Sequence, residues 1–271
     1  MKYCIKICSL FFLLSILGSC KKVITLDLGS VPPKYVIEGT ITDSVGTAQV
    51  LISQTKDFYS NNNFIGITGA IVTVTDDSGV VTTFVATDSG VYQSATLVGQ
   101  QNHSYTLNVN IAGQLFSAVS TMPVKVPFDS LFITTDASFG SSKKVANVQY
   151  KDPLGKGNSY RFVEYINGIE QQTIYAGNDD YTDGNKVTIE LNNFGADDTT
   201  TYNKKIVSGD SVKVDMQCID KSVYEYWYSL DQSATGSSQS AAPGNPVTNM
   251  QGGALGYFSA NTLQTKSVVA P

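Results

Sequence analysis

Apolar and polar positions alternate along much of this chain. Tyr35-Val36-Ile37-Glu38-Gly39-Thr40-Ile41, Ala70-Ile71-Val72-Thr73-Val74-Thr75 and Tyr105-Thr106-Leu107-Asn108-Val109-Asn110-Ile111 put apolar side chains at every second place. Turn clusters Thr42-Asp43-Ser44-Val45-Gly46, Asp76-Asp77-Ser78-Gly79 and Thr87-Asp88-Ser89-Gly90 separate such stretches. A period of two bounded by Gly, Asp and Ser predicts half-buried strands joined by tight turns. With 48–53, 80–86, 91–92 and 116–120 as further strands, the stretch to Met122 reads as about seven strands without a helix, at the spacing of a sandwich.

The segment 123–127 brackets Val124-Lys125-Val126 between two prolines and reads as a hinge. Beyond it, 130–135, 145–150, 160–166, 170–175, 187–191 and 212–219 read as strands, with a last one at 265–270. One helix is predicted near 221–231: Asp220 can cap it, and Val223, Tyr226, Trp227 and Leu230 share a face at helical spacing. The polar segments 57–66, 176–186 and 233–249 read as loops. The fold class expected is all-β: a sandwich over 35–122, then an antiparallel sandwich or partly closed barrel over 128–271 carrying the helix.

The amino end follows a different pattern. Lys2 and Lys6 precede the apolar run 7–17, and Leu17-Gly18-Ser19-Cys20 follows. A basic start, a short apolar core and small residues before a cut point mark a secretory signal. The run is shorter than the ~20 residues of a spanning helix. A Cys directly after Leu-Gly-Ser looks like a lipobox, so 1–19 is expected to be cleaved and Cys20 to carry lipid. Residues 20–34, ending near Pro32-Pro33, are then a tether.

Composition narrows the function classes. The chain has 18 basic and 23 acidic residues. Loss of 1–19 removes two Lys and no acid, so the mature charge is 16 − 23 = −7. Such a chain lacks the basic footprint of a nucleic-acid binder. The membrane link is therefore expected to be covalent, through more than one acyl chain. Of the four Cys (4, 8, 20 and 218), only Cys218 would remain as a free thiol. It shares alternation parity with Val212, Val214 and Met216, so it is expected to face the core.

Candidate chemistry is sparse. His103 is the single His, in a predicted turn, which leaves a Ser–His–Asp triad or a His/Cys zinc site without its usual parts. There is no Walker-type phosphate loop and no Gly-x-Ser-x-Gly elbow. Glu164 and Glu170 flank the turn Asn167-Gly168, with Glu164 opposite position 171 and Glu170 only diagonal to it; both are expected to be exposed sheet charges. Asp179-Asp180-Tyr181-Thr182-Asp183-Gly184, with Glu190 further on, partly matches a calcium loop, offering Asp179, Asp183 and Glu190 as ligands. Tyr181 stands where a third ligand belongs, and Asp183-Gly184-Asn185 equally suits a hairpin turn. On the predicted helix Tyr224 and Tyr228 lie one turn apart, where exposed aromatics would suit a sugar ring or a protein partner.

Further motifs carry a family resemblance. Glu38-Gly39-Thr40-Ile41-Thr42-Asp43, then Ile67-Thr68-Gly69-Ala70-Ile71-Val72-Thr73-Val74, then Thr87-Asp88-Ser89-Gly90-Val91-Tyr92 resemble an Ig-like or prealbumin-like sandwich. With the lipobox, the Thr121-Met122-Pro123 junction, the Tyr-rich helix and Gly252-Gly253-Ala254-Leu255-Gly256-Tyr257-Phe258, the whole chain resembles a Bacteroidota lipoprotein family, domain of unknown function 4249. That resemblance implies a gene neighbourhood with TonB-dependent outer-membrane receptors and an accessory role in uptake. It carries over no functional residue except the lipidated Cys20.

The expectation is a non-enzymatic lipoprotein of the outer membrane, without a nucleic-acid partner and without a cofactor beyond the calcium candidate. It would assist a TonB-dependent receptor or bind a nutrient or glycan. Lys21-Lys22-Val23-Ile24 after Cys20, with no acid before Asp27, favours the periplasmic face. The alternatives are a carbohydrate-active hydrolase using paired carboxylates and a purely structural envelope protein.

Overall fold

The computed structural model describes residues 32–56, 64–136, 142–193, 201–234 and 244–271. Its first half holds β1 (Tyr35–Thr42), β2 (Ala48–Gln54), β3 (Ile71–Asp76), β4 (Val81–Thr83), β5 (Val85–Asp88), β6 (Val91–Ser94), β7 (Ser104–Ile111) and β8 (Gln114–Thr121). The second holds β9 (Phe128–Asp136), β10 (Lys143–Lys151), β11 (Ser159–Ile166), β12 (Ile169–Glu170), β13 (Tyr175–Asn178), β14 (Lys186–Leu191) and β15 (Ser211–Ile219). Then come the helix α1 (Lys221–Ala234) and β16 (Leu255–Val269). The chain is all-β, as its alternation predicts, and its sheets are open sandwich layers rather than a closed barrel.

One strand joins the halves. β16 runs for 15 residues. Its first part pairs in parallel with β1, from Val36 opposite Leu255 to Thr42 opposite Asn261. Its second part pairs antiparallel with β15, from Cys218 opposite Thr262 to Ser211 opposite Val269. The result is a nine-stranded sheet, β12-β11-β15-β16-β1-β2-β6-β5, with β13 also paired to β11. The sheet β4-β3-β7-β8 covers one part of it and β14-β10-β9 another.

Parity along β16 explains how one strand serves two cores. Phe258 and Ala260 point into a cluster with Ile37, Ile52, Leu107 and Tyr92. On the same face, further along, Val268 packs against a second cluster built from Tyr160, Phe162, Val212, Val214 and Met216. Strand side chains repeat every two residues, so an unbroken strand keeps its buried set on one side. Gly39 on β1 makes room for Phe258, since a Cβ there would lie 2.8 Å from the Phe258 ring.

Several expected boundaries move. Residues 250–260, placed by the sequence pattern in the 128–271 half, contribute Met250, Ala254, Phe258 and Ala260 to the first core. The strand expected over 80–86 is two strands. β4 pairs with β3, and β5 pairs with β6 in the other sheet. Phe84 lies buried at the crossover, where its N–H donates to the Val72 carbonyl (2.9 Å). The strand expected at 170–175 is interrupted, leaving β12 and β13 on either side of 171–174. The turn at Asp183-Gly184-Asn185 is not a hairpin, because β13 pairs with β11 while β14 pairs with β10.

The segment 123–127 is not a hinge either. Val126 is buried and its N–H approaches the Cys218 sulfur at 3.4 Å. The Gln264 amide donates to the Val126 carbonyl and accepts from the Phe128 N–H. Lys125 pairs with Asp43 at 2.5 Å.

The motif residues behave as their chemistry requires. Gly90 has φ 72° and lies against Gly66, where a Cβ would meet the Gly66 Cα at 2.4 Å. Tyr92 is buried, donating its hydroxyl to the Ile67 carbonyl (2.9 Å) and accepting the Ala70 N–H (3.0 Å).

Candidate ligand-binding cleft

The helix α1 lies over the face of the long sheet opposite the two cores. Asp220 caps it as expected: Oδ1 accepts the Val223 N–H at 2.9 Å and the Ser222 hydroxyl at 2.7 Å. Val223 and Tyr226 are buried against the sheet. Tyr226 stacks on Tyr257 of β16 (centroids 4.8 Å apart), and Trp227 meets the same ring edge-on at 5.1 Å. The Arg161 guanidinium of β11 lies 3.7 Å over the Trp227 ring. A cation on an indole face steadies both groups, and Arg161 also donates to the Gln217 side chain (3.2 Å) and lies near enough to Glu38 to offset part of the burial that raises that carboxyl.

Beside this stack opens a cleft of about 390 Å³. Its walls include Arg161 of β11, Glu170 of β12, Gln172 and Thr173 from the interruption before β13, Tyr202, and Trp227 and Leu230 of α1. The opening lies at the interruption, where 171–174 leaves the ladder on that edge of β11 after the Gln171 N–H reaches the Glu164 carbonyl. It is braced by Gln172 N–H to the Tyr202 carbonyl (2.8 Å) and Lys204 N–H to the Gln171 side chain (2.8 Å). An aromatic wall with a few amides and charges has the chemistry needed to orient an amphipathic ligand. Sequence patterning singled out Trp227 and Leu230 as a packing face and missed Arg161, Gln172 and Tyr202, which only the fold brings to them.

Tyr224 and Tyr228 stack on each other, 5.7 Å between centroids at 32°. Tyr228 is exposed and Tyr224 partly covered. They lie on the helix beside the cleft rather than in its lining.

The two glutamates considered as a pair are separated by the sheet. Tyr165 pairs with Glu170, so Glu170 shares the helix-side face with Tyr165, while neighbouring Glu164 points to the other. The Gln171 N–H to Glu164 carbonyl bond (2.8 Å) matches the predicted register. The expected exposure of Glu164 is wrong: it is 3% exposed, on the face of Tyr160, Phe162 and Ile166. Its Oε1 has no hydrogen-bond partner among the described residues. Burial alone pushes the Glu164 carboxyl up to about 7. Its parity with three apolar neighbours was the available signal.

The calcium candidate does not assemble. Asp179, Asp183 and Glu190 do not form a metal-holding group, and no other His/Cys/Asp/Glu group among the described residues does. Asp179 Oδ2 instead accepts the N–H groups of Gly157 (2.8 Å) and Asn158 (2.9 Å), and Asp183 accepts that of Gly155 (2.7 Å). Burial raises Asp179, but the Asn158 and Gly157 N–H bonds outweigh it and hold the carboxyl low. Fully buried Asp152 accepts from Tyr160 and from Thr182 (2.7 Å), tying the same loops together. The turn 179–185 is thus a braced corner.

Cys218 faces the core as expected, and burial pushes its thiol up. His103 sits in its turn, 2.8 Å from Asp77. Cys20, the signal 1–19, and the loop segments 57–63 and 235–243 lie outside the described residues. Among the described residues no helix is long and apolar enough to cross a membrane.

Comparison with protein families gives one finding. The family model described as "Domain of unknown function (DUF4249)" matches residues 21–267. No curated protein matches the chain.

Proposed function

The chain belongs to the DUF4249 family over nearly its whole length, and from that premise we propose that it is a lipid-anchored binding protein of the bacterial outer membrane. Cys20 carries the lipid, and the folded body serves a TonB-dependent receptor by holding its nutrient or glycan cargo. The observation that carries the binding role is the cleft of about 390 Å³ beside the Arg161–Trp227 stack. Its floor is a broad sheet and its lip a braced interruption, so the lining is held in place before a ligand arrives, which lowers the ordering cost of binding. The aromatic wall offers a face for a sugar ring or an apolar side chain. Arg161, Glu170 and Gln172 offer donors and acceptors around it. The lipid confines the protein to a surface and raises its effective concentration near a receptor in the same membrane.

Trp227 is the only Trp in the chain, so intrinsic fluorescence reports the cleft directly. Titration with neutral oligosaccharides should shift that emission saturably, and Gln172→Ala should weaken the response. Extraction of the native chain in mild detergent should bring an outer-membrane receptor with it. Recovery of the chain alone, with emission unmoved by any oligosaccharide, overturns the reading.

A further inference from the structure

We infer that the end of the first half where the leader joins β1 is a membrane-resting surface, with Phe64, Ile65, Ile71 and Leu115 lying in the lipid interface. This rests on the proposed lipidation of Cys20. Topology brings these four residues to one end. The leader arrives at Lys34, whose carbonyl accepts the Thr55 N–H (2.9 Å) just beyond the end of β2. Phe64 and Ile65 run into Gly66, which bridges Ser53 near the same end of β2. Tyr35 at the start of β1 packs on Phe116 at the start of β8, centroids 5.5 Å apart. In the facing sheet Ile71 and Leu115 flank Asn110 in one cross-strand row. All four are more than half exposed.

Charge separates this end from the other. The stretches 58–75 and 104–124 contain no Asp, Glu, Lys or Arg. Lys34, Lys56 and Asp88 are charged residues beside them, and basic residues next to apolar ones are the usual flank of a membrane interface. At the far end the exposed apolar residues Val45, Val80 and Val124 sit among Asp43, Asp76, Asp77 and Lys125. A protein of net charge about −7 after cleavage (16 − 23) thus turns its least charged end toward its anchor. The tether 20–34, fully extended, could reach roughly 50 Å and would by itself leave orientation free. The apolar rim supplies the orientation.

The test uses the native lipidated chain in phosphatidylethanolamine–phosphatidylglycerol vesicles, loaded so sparsely that most hold one molecule. A fluorophore is placed on Leu115→Cys or, as the far-end control, on Val80→Cys. Both sites are exposed, and Cys218 is buried from the label. Quenching by aqueous iodide should be several-fold weaker at 115 than at 80, and adding Ile71→Asp should abolish the difference. Equal quenching at both sites in chains that entered the vesicles overturns the surface assignment alone. Chains that fail to enter overturn the lipid reading and the surface with it. Protection that arises only at high loading assigns the face to a second copy and overturns the membrane assignment.

Discussion

Ser120 of β8 donates its hydroxyl to Asp220, the residue that caps α1 from the other half of the chain. The same Ser120 oxygen accepts the Ala260 N–H at 2.8 Å, and the Asp220 carboxylate also accepts the Thr121 N–H at 3.1 Å. One carboxylate therefore ends a strand, starts a helix and steadies β16. Asp220→Ala should cost about 2–4 kcal/mol, more than a simple cap, because the Ser120 hydroxyl loses its acceptor. Urea unfolding followed by circular dichroism measures it. A loss below about 0.5 kcal/mol, within the range of an ordinary surface change, would show that the bridge carries no weight.

Because β16 belongs to both cores, the halves should unfold together. Phe258→Ala leaves a cavity between β1 and β7 and should cost about 3–5 kcal/mol. Trp227 emission, read from beside β11, should lose its native signal at the same urea concentration as a probe on β3. Two separated transitions in the parent chain would contradict the single-sheet account.

Glu164 makes stability fall as pH rises. Its carboxyl is raised to about 7 from an ordinary 4.5. Between those values the folded chain holds a proton that the unfolded chain releases, so unfolding gains with pH. The penalty is absent near pH 4, grows from about pH 4.5 and is complete above 7, on the order of 3 kcal/mol at most. Glu164→Gln should match the parent at pH 4 and exceed it at pH 8. Equal stabilities at pH 8 would mean that the carboxylate is solvated.

Gly90→Ala should destabilise by at least about 2 kcal/mol, since it combines a left-handed backbone with a contact that cannot yield. The added Cβ meets the Gly66 Cα at 2.4 Å and the Ile52 carbonyl oxygen at 2.5 Å, all backbone. Gly79→Ala is the control, with similar φ and open space around it, and should lose only the smaller conformational part. Thermal melts of the pair separate the two contributions.

The strands of the first half were legible because their alternation is strict and their turns carry Gly and Asp. β7 and its partner β8 fall where the pattern puts them, and the Asn167-Gly168 turn even sets the register of Glu164. β16 was legible only in part. Only 265–270 is predicted as strand; Leu255-Gly256-Tyr257-Phe258 carries no strand pattern of its own, because Gly256 is needed where a Cβ would strike the Ile37 carbonyl oxygen at 2.1 Å. That demand comes from β1, more than 200 residues earlier. Asp179 and Asp183 looked like ligands because loop-bracing and metal binding draw on the same carboxylates.

Local chemistry was therefore readable from the chain alone: the period-two strands, the Asp220 cap and the family resemblance. Each depends on neighbours within a few residues, and propensity and patterning act at that range. The tertiary structure alone decided the shared sheet, the buried state of Glu164 and the meeting of Arg161 with Trp227. These depend on pairing between distant segments, where contact is set by which faces must leave water together rather than by anything adjacent in the chain.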